Sequence, residues 1–150
     1  MQIISHSLEG TEKAARQFLN LVAPREHATI VALSGELGSG KTTFTQAIAR
    51  ILGVPDVVQS PTFVIMKRYI LVDSGFMIHE SGFRNLIHID AYRLEKGEEL
   101  KKLGIKEVFK DPKNLILIEW PERIAEILPS DHFKISFEFV DETTRKIEFL

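Results

Sequence analysis

Apolar residues along this chain recur with two periods, and the alternation between them predicts its elements. From Thr11 to Pro24 they fall at Ala14, Ala15, Phe18, Leu19 and Val22, one stripe of a helix that Thr11 opens and Pro24 ends. Thr29–Ser34 is a continuous apolar run with β-branched residues, a strand pattern. Phe44, Ile48, Ile51 and Leu52 return to helical spacing, with Gly53 as the stop. Leu86–Ile89 and Leu115–Ile118 are two further apolar runs of buried-strand type, ending in Asp90 and Glu119 respectively. Late in the chain, Phe133, Ile135, Phe137 and Phe139 alternate with polar residues, as in a half-buried strand. Asp141–Arg145 then turns back into Lys146–Leu150.

Weaker signals fill the intervals. Gln2–Ile4 reads as a short edge strand. Phe63–Val72 reads as a strand, with Asp73-Ser74-Gly75 turning it into Phe76–His79 and Glu80-Ser81-Gly82 as a second turn. Glu95–Leu103 favours a helix closed by Gly104, with a short turn or helix over Ile105–Phe109. Pro121 at a first helical position starts Glu122–Leu128. The sum is an α/β chain with antiparallel β-structure beside a parallel core.

Between the first predicted strand of that core and its helix lies Gly35-Glu36-Leu37-Gly38-Ser39-Gly40-Lys41-Thr42-Thr43, which fits G-x-x-x-x-G-K-[ST]. The glycines let successive backbone N–H groups, from Glu36 through Thr43, turn inward at phosphate oxygens. Lys41 reaches the terminal phosphates, and the Thr42 hydroxyl is a ligand for Mg²⁺. Strand, loop and helix in this order aim the positive end of the helix at an anion.

Such a loop needs acids near the metal, at the ends of buried strands. Asp90 and Glu119 have that form. We assign the shorter Asp90 to Mg²⁺ and the longer Glu119 to the attacking water, or to completing the metal shell. In the Pro-rich stretch after the first core helix, Thr62 is the candidate to meet the metal or the water. His88 points to the same strand face as Asp90, where a lone histidine reads as structural. Trp120 is open between a core residue, a partner contact and a neighbour of adenine.

Composition narrows the classes. At 150 residues and 44% hydrophobic content, one domain over 1–150 is expected. A net charge of −2 gives no broad basic surface, which argues against unaided nucleic-acid binding. Without cysteine there is no disulfide, thiolate metal site or Cys nucleophile. Neither an export signal nor a membrane span is visible, so a soluble, cytoplasmic protein is expected. No Asn-Lys-x-Asp guanine reader occurs, and the arginines do not gather into a kinase-type lid. A compact ATPase leads, with a small-molecule kinase and a non-catalytic nucleotide sensor as rivals.

Four motifs together resemble the bacterial TsaE (YjeE) family of ATPases in tRNA threonylcarbamoyladenosine (t6A) biosynthesis. They are Gly35–Thr43, Ser60-Pro61-Thr62-Phe63, His88-Ile89-Asp90-Ala91-Tyr92-Arg93-Leu94 and Ile118-Glu119-Trp120-Pro121-Glu122-Arg123, in the family's order. The resemblance implies a P-loop NTPase fold, a small parallel sheet flanked by antiparallel strands and helices. It implies ATP with Mg²⁺ and a weak hydrolase activity expressed with the partners TsaD and TsaB, tRNA being met only through the complex. By position it gives Lys41 and Thr42 to the phosphates and metal, and Thr43 to the end of the loop. Thr62 falls in a switch-like loop, Asp90 by the metal, and Glu119 with Trp120 in a second acidic motif. The chain departs from the family's pattern at Ala91, where a larger apolar residue is usual, and in a longer stretch from Met66 to Arg84.

Overall fold

A computed structural model describes residues 1–54, 58, 65–71 and 81–150. Thr62 and the rest of Ser60–Phe63, the strand expected at Phe76–His79, and the turns at 73–75 and 80 lie outside the described residues.

Among the described residues the strands are β1 (Gln2–Ser5), β2 (Thr29–Ser34), β3 (Met66–Ile70), β4 (Asn85–Asp90), β5 (Asn114–Glu119), β6 (Phe133–Phe139) and β7 (Arg145–Phe149). They form one sheet in the order β1-β7-β6-β2-β5-β4-β3. The four central strands β6, β2, β5 and β4 are parallel. Antiparallel β7 and β1 extend one edge and antiparallel β3 the other.

Helix α1 (Leu8–Leu21) and helix α2 (Lys41–Ile51) cover one face. That face buries Val31, Leu33, Leu86, Leu115 and Leu117 against Ala14, Phe18, Phe44 and Ile48. On the opposite face Ile30, Ile87, Ile89, Ile116 and Ile118 meet Leu100 of α3 (Glu98–Lys101), Ile105 of α4 (Ile105–Lys110) and Ile124 of a 3-10 stretch, Pro121–Ile127. Neighbours along each central strand therefore serve opposite layers, which is why β4 and β5 read as unbroken apolar runs. Phe18 and Phe44 pack 6.2 Å apart and tie the two helices together.

Three details differ from the sequence expectation. Helix α1 starts at Leu8, because Ser7 caps it and accepts from the Gly10 N–H at 3.2 Å. The helix expected over Glu95–Leu103 narrows to the single turn of α3, with Leu100 its one buried residue. Phe139 completes the alternation of β6 yet is half exposed, its ring covered by Arg145 at 4.5 Å.

Candidate nucleotide site

Strand β2 delivers the loop. Gly35 follows Ser34, and a Cβ there would lie 2.6 Å from the Phe137 carbonyl oxygen on neighbouring β6 and 2.6 Å from Ser39 Oγ. Only glycine lets the chain leave the sheet at that point. Gly40, at φ 106°, is the N-cap of α2, so Lys41, Thr42 and Thr43 form the helix's first turn with their N–H groups facing outward. Arg145 holds the loop from outside, its Nε donating to the Gly38 carbonyl at 3.1 Å and its Nη1 to the Thr144 carbonyl at 3.0 Å.

Register places the acids. Glu119 on β5 pairs with Leu33 on β2 and with Asp90 on β4, so both carboxylates stand at the carboxyl ends of parallel strands beside the loop. Both residues are buried, at 4% and 3% exposure. Thr42 Oγ1 donates to Glu119 at 3.0 Å from Oε1 and 3.3 Å from Oε2. This contact puts Glu119, rather than Asp90, next to the Thr42 hydroxyl. Asp90 accepts the Tyr92 N–H at 2.9 Å, which shapes the turn leaving β4. His88, fully buried, donates from Nε2 to Glu119 Oε2 at 2.6 Å. Reading a lone histidine as structural missed that pairing, because no spacing along one strand reveals a partner on the next.

Lys41 is folded onto its own loop, bonded to the Gly35 carbonyl and, at 2.9 Å, to the Glu36 carbonyl. Its ammonium also lies 4.6 Å from the centre of the Trp120 ring. Burial pushes its pKa below the ordinary lysine value, while the charges of Glu119, Glu122 and Asp90 oppose that shift. Trp120 takes the left-handed conformation, φ 58°, as the cap of the 3-10 stretch. Its ring meets that of Tyr92 at 5.0 Å with a 54° tilt, packs in part against the core and lines the cavity beside the loop.

A cavity of about 800 Å³ runs from this cluster to a second wall. One end has Gly38–Thr43, Asp90, Glu119, Tyr92 and Trp120; the other has Ser5–Leu8 and Thr11, with Glu142 and Thr143 from the turn between β6 and β7 and Arg145 at the start of β7. That second wall was not legible in the sequence. It is made by two chain ends that meet only because β1 pairs with β7. Its volume suits a whole nucleotide rather than an isolated phosphate.

A phosphate-binding loop between a parallel strand and a helix, with two acids at adjoining strand ends, defines a P-loop nucleotide-binding protein. The family model "Threonylcarbamoyl adenosine biosynthesis protein TsaE" matches residues 5–147, and the chain belongs to that family. It is 37% identical over 120 residues to a Bacillus subtilis protein named tRNA threonylcarbamoyladenosine biosynthesis protein TsaE, covering 80% of this chain and 68% of that one. The Aquifex aeolicus protein of the same name is 32% identical over 148 residues, 97% of this chain and 92% of its own. Among solved structures, Bacillus subtilis YdiB superposes with a TM-score of 0.73 at 28% identity, over 99% of this chain and 83% of that one. No described helix is long and apolar enough to cross a membrane.

Proposed function

We propose that this chain binds ATP with Mg²⁺ and hydrolyses it weakly on its own, in support of threonylcarbamoylation of A37 in tRNAs that read ANN codons. The names of its relatives put those proteins in that pathway. Its partners in this reading are TsaD and TsaB, and tRNA is met through them. A net charge of −2 agrees with a subunit that leaves tRNA contact to others.

The observation that carries the reading is the contact of Thr42 with Glu119 directly behind a phosphate-binding loop. A hydroxyl and a carboxylate 3.0 Å apart are the donor set a magnesium site takes from protein, since this ion keeps several waters and phosphate oxygens. No described group of three or more His, Cys, Asp or Glu forms a dedicated cage, which agrees with a metal carried in by its nucleotide. When bound, Mg²⁺ supplies charge neutralisation at the β- and γ-phosphates. We assign Thr42 and Glu119 to its shell, with Asp90 closing that shell from the next strand.

The chain's own residues do the rest. Backbone N–H groups from Glu36 to Thr43 bind the phosphate oxygens. Lys41 exchanges its two carbonyl bonds for the terminal phosphates, and its charge draws off the negative charge that develops during transfer. Glu119, buried beside the loop, also borders the position of an attacking water and orients it. Trp120 and Tyr92 line this end of the cavity.

ATP turnover of the full chain, measured with and without TsaD and TsaB, tests the proposal. Stimulation by the pair is expected, with phosphate released into solution. No stimulation, or phosphate recovered on an organic acceptor, refutes it.

A further inference from the structure

His88 has no part in the site as assigned so far, yet it is fully buried and fixed to its centre. On β4 it stands two residues before Asp90 and opposite Leu117, on the face that α2 covers. Away from the loop its neighbours along that face of β4 and β5, Leu86, Leu115 and Leu117, are apolar, while toward the loop lie Asp90 and Glu119. A polar ring among them is there for a bond, and the bond it makes is the 2.6 Å contact from Nε2 to Glu119 Oε2. Its Nδ1 has no partner among the described residues, so no second hydrogen bond from them competes for the ring's orientation.

We infer that His88 is a positioning residue: it holds one oxygen of Glu119 and thereby aims the other at Thr42 and the metal. A glutamate side chain has three rotatable bonds, and with a single hydroxyl donor on one side it could swing within the cavity. Glu119 is instead gripped from two directions, by Thr42 toward the loop and by His88 toward the sheet. The Thr42 hydroxyl must also serve the metal, whereas the His88 bond lies behind the carboxylate and persists through a nucleotide cycle. Buried partners that orient a metal-binding carboxylate typically govern metal affinity by about 10–100-fold. This inference rests on Glu119 belonging to the metal shell.

The test measures Mn²⁺ binding to the full chain saturated with ADP, by electron paramagnetic resonance, alongside ADP affinity in EDTA. His88→Leu keeps the volume and removes the donor, so the Mn²⁺ Kd should rise about 10–100-fold while metal-free ADP affinity changes less than about twofold. His88→Gln carries an amide N–H at the reach of Nε2 and should restore metal affinity to within a few-fold. His88→Asn, too short to reach Oε2, should not. The Gln and Asn pair decides the matter even where His88→Leu fails to fold. Equal Mn²⁺ affinity in Gln and Asn, or wild-type affinity in His88→Leu, overturns the inference. Glu119→Ala separates the two levels: unchanged Mn²⁺ binding in that variant sinks the metal assignment itself, whereas weakened binding there with none in the His88 variants sinks only the positioning role.

Discussion

Replacing Lys41 by Met separates what this lysine does for the empty protein from what it does for the ligand. Lys41 is 5% exposed, its ammonium bonded to two loop carbonyls and set over Trp120. Two charged hydrogen bonds contribute about 1.5–3 kcal/mol each and the ring contact about 0.5–2. Against them stands the desolvation of a buried ammonium, several kcal/mol. These nearly cancel, so the melting temperature of empty Lys41→Met should stay within about 4 °C of the parent. With ATP the two proteins diverge. At a concentration one hundred times Kd, ligand adds about 2.7 kcal/mol to the parent, a rise of about 5–11 °C for a chain this size. Losing about 3 kcal/mol of phosphate contact raises Kd roughly 150-fold, so the same ATP adds only about 0.3 kcal/mol, or about 1 °C. Differential scanning fluorimetry at one fixed ATP concentration reads both numbers. An ATP-induced rise above about 5 °C in Lys41→Met would refute the phosphate role. A loss of more than about 8 °C in the empty variant would show that the carbonyl contacts outweigh desolvation.

Other expectations follow from the same geometry. Glu119→Gln keeps the shape and removes the charge, so steady-state hydrolysis should fall about 10²–10³-fold while ADP still binds in EDTA; hydrolysis at the parent rate would exclude Glu119 from the chemistry. Gly35→Ala forces a methyl group to 2.6 Å from the Phe137 carbonyl and should cost about 1–3 kcal/mol in urea unfolding; an unchanged midpoint contradicts the close approach. Asp141 accepts the backbone N–H groups of Thr143 and Thr144 at 2.9 and 2.8 Å, which holds its carboxyl below the ordinary 3.8. A depressed carboxylate contributes stability that is complete above the unfolded pKa and lost as pH falls through the folded one. Carbon-13 titration of Asp141 should therefore give a midpoint below 3.8, and a midpoint at or above it would refute these bonds as the anchor of the turn.

The sequence revealed most where a function depends on residues that follow one another. Gly35–Thr43 was legible because a phosphate loop is built from consecutive backbone N–H groups. Asp90 and Glu119 were legible because each ends a long apolar run, and such runs in an α/β chain bring their ends to one crevice. What stayed hidden depends on pairing between strands. Nothing local says that β4 and β5 are neighbours in register, so neither the His88–Glu119 bond nor the Thr42–Glu119 contact could be read in advance. The far wall of the cavity was hidden for the same reason, since Ser5–Leu8 and Glu142–Arg145 are joined by the antiparallel pairing of the two chain ends. The helix expected at Glu95–Leu103 shows the converse limit. Charged, helix-favouring residues gave the signal, but a segment with one buried side chain gains too little from packing to extend past a turn.

That hidden pairing also supplies the hydrogen bonds that a buried carboxylate at Glu119 needs. A carboxylate at 4% exposure is strongly unfavourable unless donors surround it. Here the hydroxyl of Thr42 and the ring of His88 donate directly, and the ammonium of Lys41 adds an opposite charge nearby. Lys41 bonds its own loop carbonyls, so the hydrogen bonds to Glu119 come from Thr42 and His88. On the function proposed, a metal-bound triphosphate would bring positive charge to the carboxylate and give Lys41 a polyanion in place of two carbonyls. Both groups improve their electrostatic position in the same event. On the function proposed, metal and nucleotide together should therefore bind this cluster more tightly than either does alone.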